Sequence, residues 1–189
     1  MLKKEVRSHL LATLTWLVLV TLLQWNWPLP TLRQAWNLVL FWLGGLAGTF
    51  FLDIDHLLYA LVIYPHELTS MRVKRLMNQR RFKDALILLA DTQDERIKLS
   101  FHNVLFQLIF CVFCFFVLTS TGSQFGTGLV MAMALHLLKD ELELLLRGKD
   151  EQLRRWLFWQ VKAEVTLNQQ KSFVILMLLV FIGLNLLLI

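Results

Sequence analysis

"GTFFLDIDHLLYALV", residues 48–62, sets Asp53, Asp55 and His56 inside a run that otherwise has the composition of a membrane-spanning helix. An aspartate at the centre of such a helix costs about 2.5 to 3.5 kcal/mol on insertion scales, so acids persist there only where something offsets that cost. What kind of bundle surrounds these three side chains, and what they meet in it, decides the reading of the whole chain.

Working outward, the 189 residues are 57% hydrophobic yet carry 19 Lys and Arg and 14 Asp and Glu. Together with a mean hydropathy of +0.57, this composition suits several membrane spans joined by charged loops better than one soluble core. The net charge of +5 is what basic loops impose on a membrane protein, so no nucleic-acid partner is expected. The cysteines, Cys111 and Cys114, lie three apart in an apolar run. That rules out a disulfide framework or a zinc ribbon, and both read as small apolar fillers.

Apolar runs at about 8–25, 36–64, 101–119, 126–146 and 173–189 each approach the ~20 residues needed to cross a bilayer. The expected fold is therefore all-α: a polytopic membrane protein, one transmembrane domain over 1–189 with a bundle of five helices. No small-residue cleavage site follows the first run, so it is expected to stay uncleaved, with Trp25, Trp27, Pro28 and Pro30 as an interfacial belt and turn.

Lysines and arginines number three before residue 8, one in 26–35, eight in 65–100, none in 120–125 and six in 147–172. That alternation satisfies the positive-inside rule at every loop for an N-terminus inside and a C-terminus outside. The cytoplasmic loops are then 65–100 and 147–172. "SMRVKRLMNQ" (70–79) and "RRFKDALILLADTQ" (80–93) have helical spacing with one apolar and one basic side, as expected of amphipathic helices at a membrane surface. Leu153, Trp156, Leu157 and Val161 form a similar stripe behind Gly148 and Asp150, a helix stop and the next N-cap.

With this topology, His9, Asp53, Asp55, His56, His102, His136 and Asp140 all fall in the cytoplasmic leaflet, on four different helices. His136 and Asp140 are four apart and Asp53 and His56 three apart, so each pair projects from one helical face. Asp55 points elsewhere, and reaches a ligand only if the helix is irregular near Gly44, Gly45 and Gly48, or else acts by holding a ligating histidine. His56 and Asp140 lie about 12 and 9 Å from their helix ends at 1.5 Å per residue. Buried deep, Asp53, Asp55 and Asp140 would together cost roughly 8 to 10 kcal/mol, whereas interhelical hydrogen bonds average only ~0.6. A divalent cation bound by carboxylate oxygen and imidazole nitrogen closes that gap. The expected ligands are Asp53, His56, His136, Asp140 and His9, with Asp55 or His102 as general base. The mixed donor set suits one or two ions of Zn, Mn or Fe. Taken singly, His9 and His102 also read as interfacial side chains. Lys139, Glu141 and Glu143 read as the wetted end of the fourth span and are left outside the site.

"FLDIDH", "SFHN" and "ALHLLKD" resemble motifs of a predicted family of bacterial inner-membrane metal-dependent hydrolases, described as LexA-binding and inner-membrane-associated. Asp53, Asp55 and His56 match its Pro-Asp-x-Asp-His segment, His102 its His-Ser-type element, and His136 and Asp140 its His-x-x-x-Asp motif, with His9 standing where the family has an early histidine. Leu52 stands where the family has proline and Asn103 where it has serine. The resemblance implies a multi-pass protein of the bacterial inner membrane, a bound divalent metal and hydrolytic activity.

Three functions compete on this reading. The first is a membrane-embedded hydrolase of a phosphoester or lipid-linked substrate, in which the metal lowers the pKa of a water and Arg72, Lys74, Arg75, Arg80 and Arg81 steer the substrate. The second is a metal-stabilised scaffold, and the third an ion or proton transporter. Neither a G-x-S-x-G elbow nor a P-loop occurs in the chain, which removes two well-marked chemistries. Membrane lipids are the expected surroundings.

Overall fold

The computed structural model describes residues 2–24 and 31–189, with side chains from residue 6 onward in the first segment. The belt expected at Trp25, Trp27, Pro28 and Pro30 lies outside the described residues. Among the described residues the chain is 79% helix with no strand. Its helices are α1 (Leu2–Leu23), α2 (Leu32–Phe51), α3 (Ile54–Leu58), α4 (Leu68–Asn78), α5 (Phe82–Asp91), α6 (Val104–Phe116), α7 (Gln124–Leu146), α8 (Asp150–Leu157) and α9 (Leu167–Leu186). A π-helical turn over Tyr59–Ile63 extends α3, and another over Val117–Thr121 extends α6.

Their boundaries follow local chemistry. Thr31 and Thr166 open α2 and α9 with capping boxes completed by Gln34 and Gln169, while Asn103 and Ser123 cap α6 and α7 through their side chains. Each such cap satisfies backbone N–H groups that would otherwise be orphaned.

Four stretches are long and apolar enough to cross a membrane: Val6–Leu23, Leu32–Ile63, Val104–Thr121 and Leu167–Leu186. The remaining expected span, α7, has 23 residues, but Lys139, Asp140, Glu141 and Glu143 crowd its last two turns. It is the central helix of the bundle, with buried positions all around its circumference from Thr127 to Leu144.

Glycine brings α2 against α7. A Cβ on Gly44 would fall onto the Phe125 carbonyl and one on Gly48 onto the Leu129 carbonyl, while one on Gly128 would strike the carbonyl of Phe41. The two backbones therefore touch along a line of small residues four apart, the packing that apolar helices use where side-chain burial supplies little drive. Across the other face of α2, Thr49 and Thr13 of α1 place their buried hydroxyls 2.9 Å apart.

Two expectations change here. The irregularity in the second apolar run is not at its glycines, which pack, but at Leu52 and Asp53. There the Asp53 N–H turns back to the Phe50 carbonyl (3.2 Å) and the Asp55 N–H to that of Leu52 (3.0 Å). His102, expected to open a span, instead precedes α6 in a non-helical segment, because the Asn103 side chain accepts from Phe106 N–H (2.9 Å) and starts the helix at Val104.

The amphipathic loop segments do form helices. Arg80, in the left-handed region at φ 59°, turns α4 into α5, and Val73, Ala85 and Leu89 bury against Ala60, Leu57 and Leu61 of the α3 region. In α8, Leu153, Trp156 and Leu157 are buried as the stripe requires. Lys149 rather than Asp150 holds the N-cap position, and Val161 lies beyond the helix, exposed.

Candidate metal centre

The break at residues 52–53 builds the site. In an uninterrupted helix the Asp53 N–H would occupy the Thr49 carbonyl. Here it bonds to Phe50 instead, and the Thr49 carbonyl receives His136 Nδ1 at 2.7 Å. A carbonyl only accepts, so His136 Nδ1 carries a hydrogen and donates it, and Nε2 turns inward. That nitrogen lies 3.3 Å from Asp140 Oδ2 and 3.8 Å from Asp53 Oδ1.

His102 is set in the same way by a different residue. Asp55 is fully buried, and its carboxylate accepts the backbone N–H of Ser100 (3.0 Å), that of Phe101 (2.7 Å) and His102 Nδ1 (3.2 Å). With Nδ1 donating to Asp55, His102 turns its Nε2 toward Asp140 Oδ2, 3.8 Å away. This carboxylate–histidine arrangement is how metal sites orient an imidazole from behind.

On the far side of Asp140, His9 Nε2 of α1 lies 2.6 Å from Oδ1, and the His9 ring stacks on His136 with centroids 4.1 Å apart. His9, His136 and Asp140 each offer a ligand atom within 4.8 Å of the others.

These distances test whether the residues suit a cation. Two imidazole Nε2 atoms facing one carboxylate call for positive charge, supplied either by protons on the rings or by a cation between them. Gaps of 3.3 and 3.8 Å exceed the 2.7–2.9 Å of a charge-assisted hydrogen bond. Ligands 2.0–2.2 Å from a shared tetrahedral centre stand about 3.4 Å apart, so the spacing fits donors grouped around one ion. The His9 contact is shorter and is a hydrogen bond.

The remaining sequence candidates separate. Asp55, one of two candidates for general base, has its carboxylate engaged by three donors and serves to position His102. His102, the other, points its Nε2 at Asp140. His56 stands apart from the ligands, because its Nδ1 accepts from Arg96 Nε at 3.1 Å. A guanidinium only donates, so His56 carries its hydrogen on Nε2 and offers a donor, not a lone pair. Asp53 is half exposed at 49%, the most open carboxylate of the cluster.

Sequence reasoning missed four participants. Arg96 was counted only toward loop charge, yet it is buried and also donates to Thr92 Oγ1 (3.2 Å) and the Leu89 carbonyl. The Thr49 carbonyl has no side-chain signature at all. Trp156 packs edge-on to His102 at 5.8 Å, and the sequence signal for it was the α8 stripe. Lys139, left outside the site, reaches its rim: Nζ lies 3.2 Å from His9 Nε2 while Glu143, four residues on, holds it at 2.9 Å.

A cavity of about 460 Å³ opens beside the cluster. His9, Asp53, His56 and Asp140 line one end, and apolar side chains of α2, α3 and α5 line its wall. Its basic lining residues are Arg147 and Lys149. The expected steering residues Arg72, Lys74, Arg75, Arg80 and Arg81 do not line it, and Arg81 is paired with Asp84 at 2.7 Å. Comparison of the chain with protein-family models, curated proteins and solved structures finds no match.

Proposed function

We propose that the chain is a metal-dependent hydrolase embedded in the bacterial inner membrane, crossing it five times with the N-terminus inside, and acting on a phosphoester or lipid-linked substrate at the cytoplasmic leaflet. The observation that carries this reading is the pair of inward Nε2 atoms on His102 and His136, whose rings are fixed by the Asp55 carboxylate and the Thr49 carbonyl and which both face Asp140. The motif resemblance and the alternation of loop charge support it, and α7 supplies the fifth span.

In this account His102, His136 and Asp140 would hold a divalent cation, with His9 bracing Asp140 from the opposite side. When bound there it would supply Lewis-acid polarisation of the scissile group and would offset the charge of the acids. His56 Nε2–H, held toward the cavity by Arg96, donates to an oxygen of the substrate. Hydrogen-bond donors fixed in advance where charge develops are among the larger contributions to rate. Asp53, half exposed and lining the cavity, accepts a proton from water at its carboxylate. Asp55 touches neither water nor substrate and keeps His102 in the ligating tautomer.

Purified protein is to be assayed against generic phosphoesters and lipid extracts beside an Asp53→Ala, His136→Ala double variant. Turnover by wild type alone supports the hydrolase. Metal retention with no turnover across the panel would replace it with the non-catalytic scaffold.

A further inference from the structure

The cavity joins two chemistries that meet in one class of molecule. At one end stand His56, with its Nε2 hydrogen turned out, and the carboxylates of Asp53 and Asp140; along the wall run Phe50, Ile54, Leu57, Leu86 and Leu89. The wall does not end inside the protein. Phe50, Ile54 and Leu86 are 41%, 43% and 52% exposed, and their neighbours Phe51 and Ile87 are exposed as well. Phe50 and Ile54 belong to the Leu32–Ile63 stretch that is apolar enough to cross a membrane, so the wall runs continuously onto a surface of the kind that faces acyl chains.

The remaining charged side chains of the lining favour the same occupant. Lys149 is paired with Asp94 at 3.4 Å, Gln152 donates to the same carboxylate at 2.6 Å, and Arg147 pairs with Glu143. Cations already committed to carboxylates are weak lures for a small soluble anion, and a ligand without an apolar part would leave the wall of α3 and α5 wetted. A volume of about 460 Å³ lies in the range of built small-molecule sites, which bury most of their ligand against apolar side chains and fix it by a few polar groups.

We infer that the cavity binds a membrane lipid, which enters sideways between α3 and α5 with its acyl chain along Phe50, Ile54, Leu57 and Leu86 and its ester or phosphoester oxygens at His56 and the His/Asp cluster. This rests on the hydrolase reading for what happens to the lipid, but not for where it sits.

The test uses the full chain in nanodiscs containing a trace of phosphatidylglycerol with a photoactivatable diazirine on one acyl chain. Cross-linked residues are mapped by peptide mass spectrometry, and metal content is measured on the same samples. Labelling of 50–57 and 86–90 should exceed that of the outward residues Val112 and Phe116 on α6 by about fivefold, as one specific site of modest affinity does over a lipid annulus. Leu86→Trp, which fills the wall, should remove the excess, whereas Leu86→Ala should keep it. An Asp140→Ala variant separates the two ideas: retained labelling with lost metal keeps the lipid site even if the hydrolase reading fails. Labelling spread evenly over the lipid-facing helices overturns the inference. So does an excess that survives Leu86→Trp.

Discussion

Adding one methyl group at Gly48 tests how the site is assembled. In Gly48→Ala the new Cβ would fall onto the Leu129 carbonyl and come within 3.0 Å of Ala132 Cβ. Ordinary contact begins near 3.4 Å, and a backbone carbonyl cannot swing aside as a flexible side chain can. Relief therefore requires α2 and α7 to part by roughly an ångström, an overpacking strain that costs about 1 to 3 kcal/mol. At about 2–4 °C per kcal/mol for a chain of this size, the midpoint of thermal unfolding should fall by about 2 to 12 °C.

The displacement also reaches the centre. Asp53 is five residues beyond Gly48, His136 is four beyond Ala132, and they face each other at 3.8 Å, while metal ligands tolerate only about ±0.2 Å. The Thr49 carbonyl that fixes His136 moves with Gly48. Metal affinity, read by competition with a chromophoric chelator, should fall by about 10- to 100-fold, the usual effect of disturbing the groups that orient a ligand. Gly183→Ala on α9 is the control. Nothing lies within 4 Å of its Cβ, so it should leave affinity unchanged and the midpoint level or slightly raised through better helix propensity. Wild-type affinity and midpoint in Gly48→Ala would refute the claim that backbone contact between α2 and α7 sets the centre.

Three further outcomes are expected. Asp55→Asn replaces an acceptor-only group with one that can donate, leaving a buried N–H of Ser100 or Phe101 unmatched at about 1 to 3 kcal/mol; chelator competition should show weakened metal binding, and an unaltered affinity would remove Asp55 from the account. Arg96→Gln should lower turnover with metal content intact, because it releases His56 without touching Asp140 or His136; loss of metal in this variant would instead make His56 a ligand. Finally, with Cys111 and Cys114 replaced by alanine, a membrane-impermeant maleimide added to intact cells should label a cysteine at position 122 but not one at position 80. Labelling at 80 would reverse the proposed orientation.

The apolar runs were legible because hydropathy over some twenty residues needs no tertiary information, and four of the five correspond to helices long and apolar enough to span. The fifth, α7, differs because the acids of its last turns are shielded inside the bundle, where burial comes from neighbouring helices that a single-segment reading does not see. The meeting of His9, His136 and Asp140 could be anticipated from shared depth and four-residue spacing. The division of labour among the candidates could not. Asp55 became a support for His102, and His56 a donor, only through bonds to Phe101 and Arg96 that span 46 and 40 residues. Gly44 and Gly48 carried a readable signal, the four-residue spacing of close helix packing, but reading them as sources of irregularity placed the break too early. Its true position at Leu52 and Asp53 is a matter of which carbonyl one N–H selects, and the residue types there do not announce it.

The central claim is that His102 and His136 hold their lone pairs on a cation shared with Asp140. Elemental analysis of detergent-purified wild type and Asp140→Ala addresses it most directly. The account predicts about one equivalent of a divalent transition metal in wild type, the stoichiometry of a single centre, and its loss in the variant. Wild-type protein that is free of metal and fully stable would contradict it.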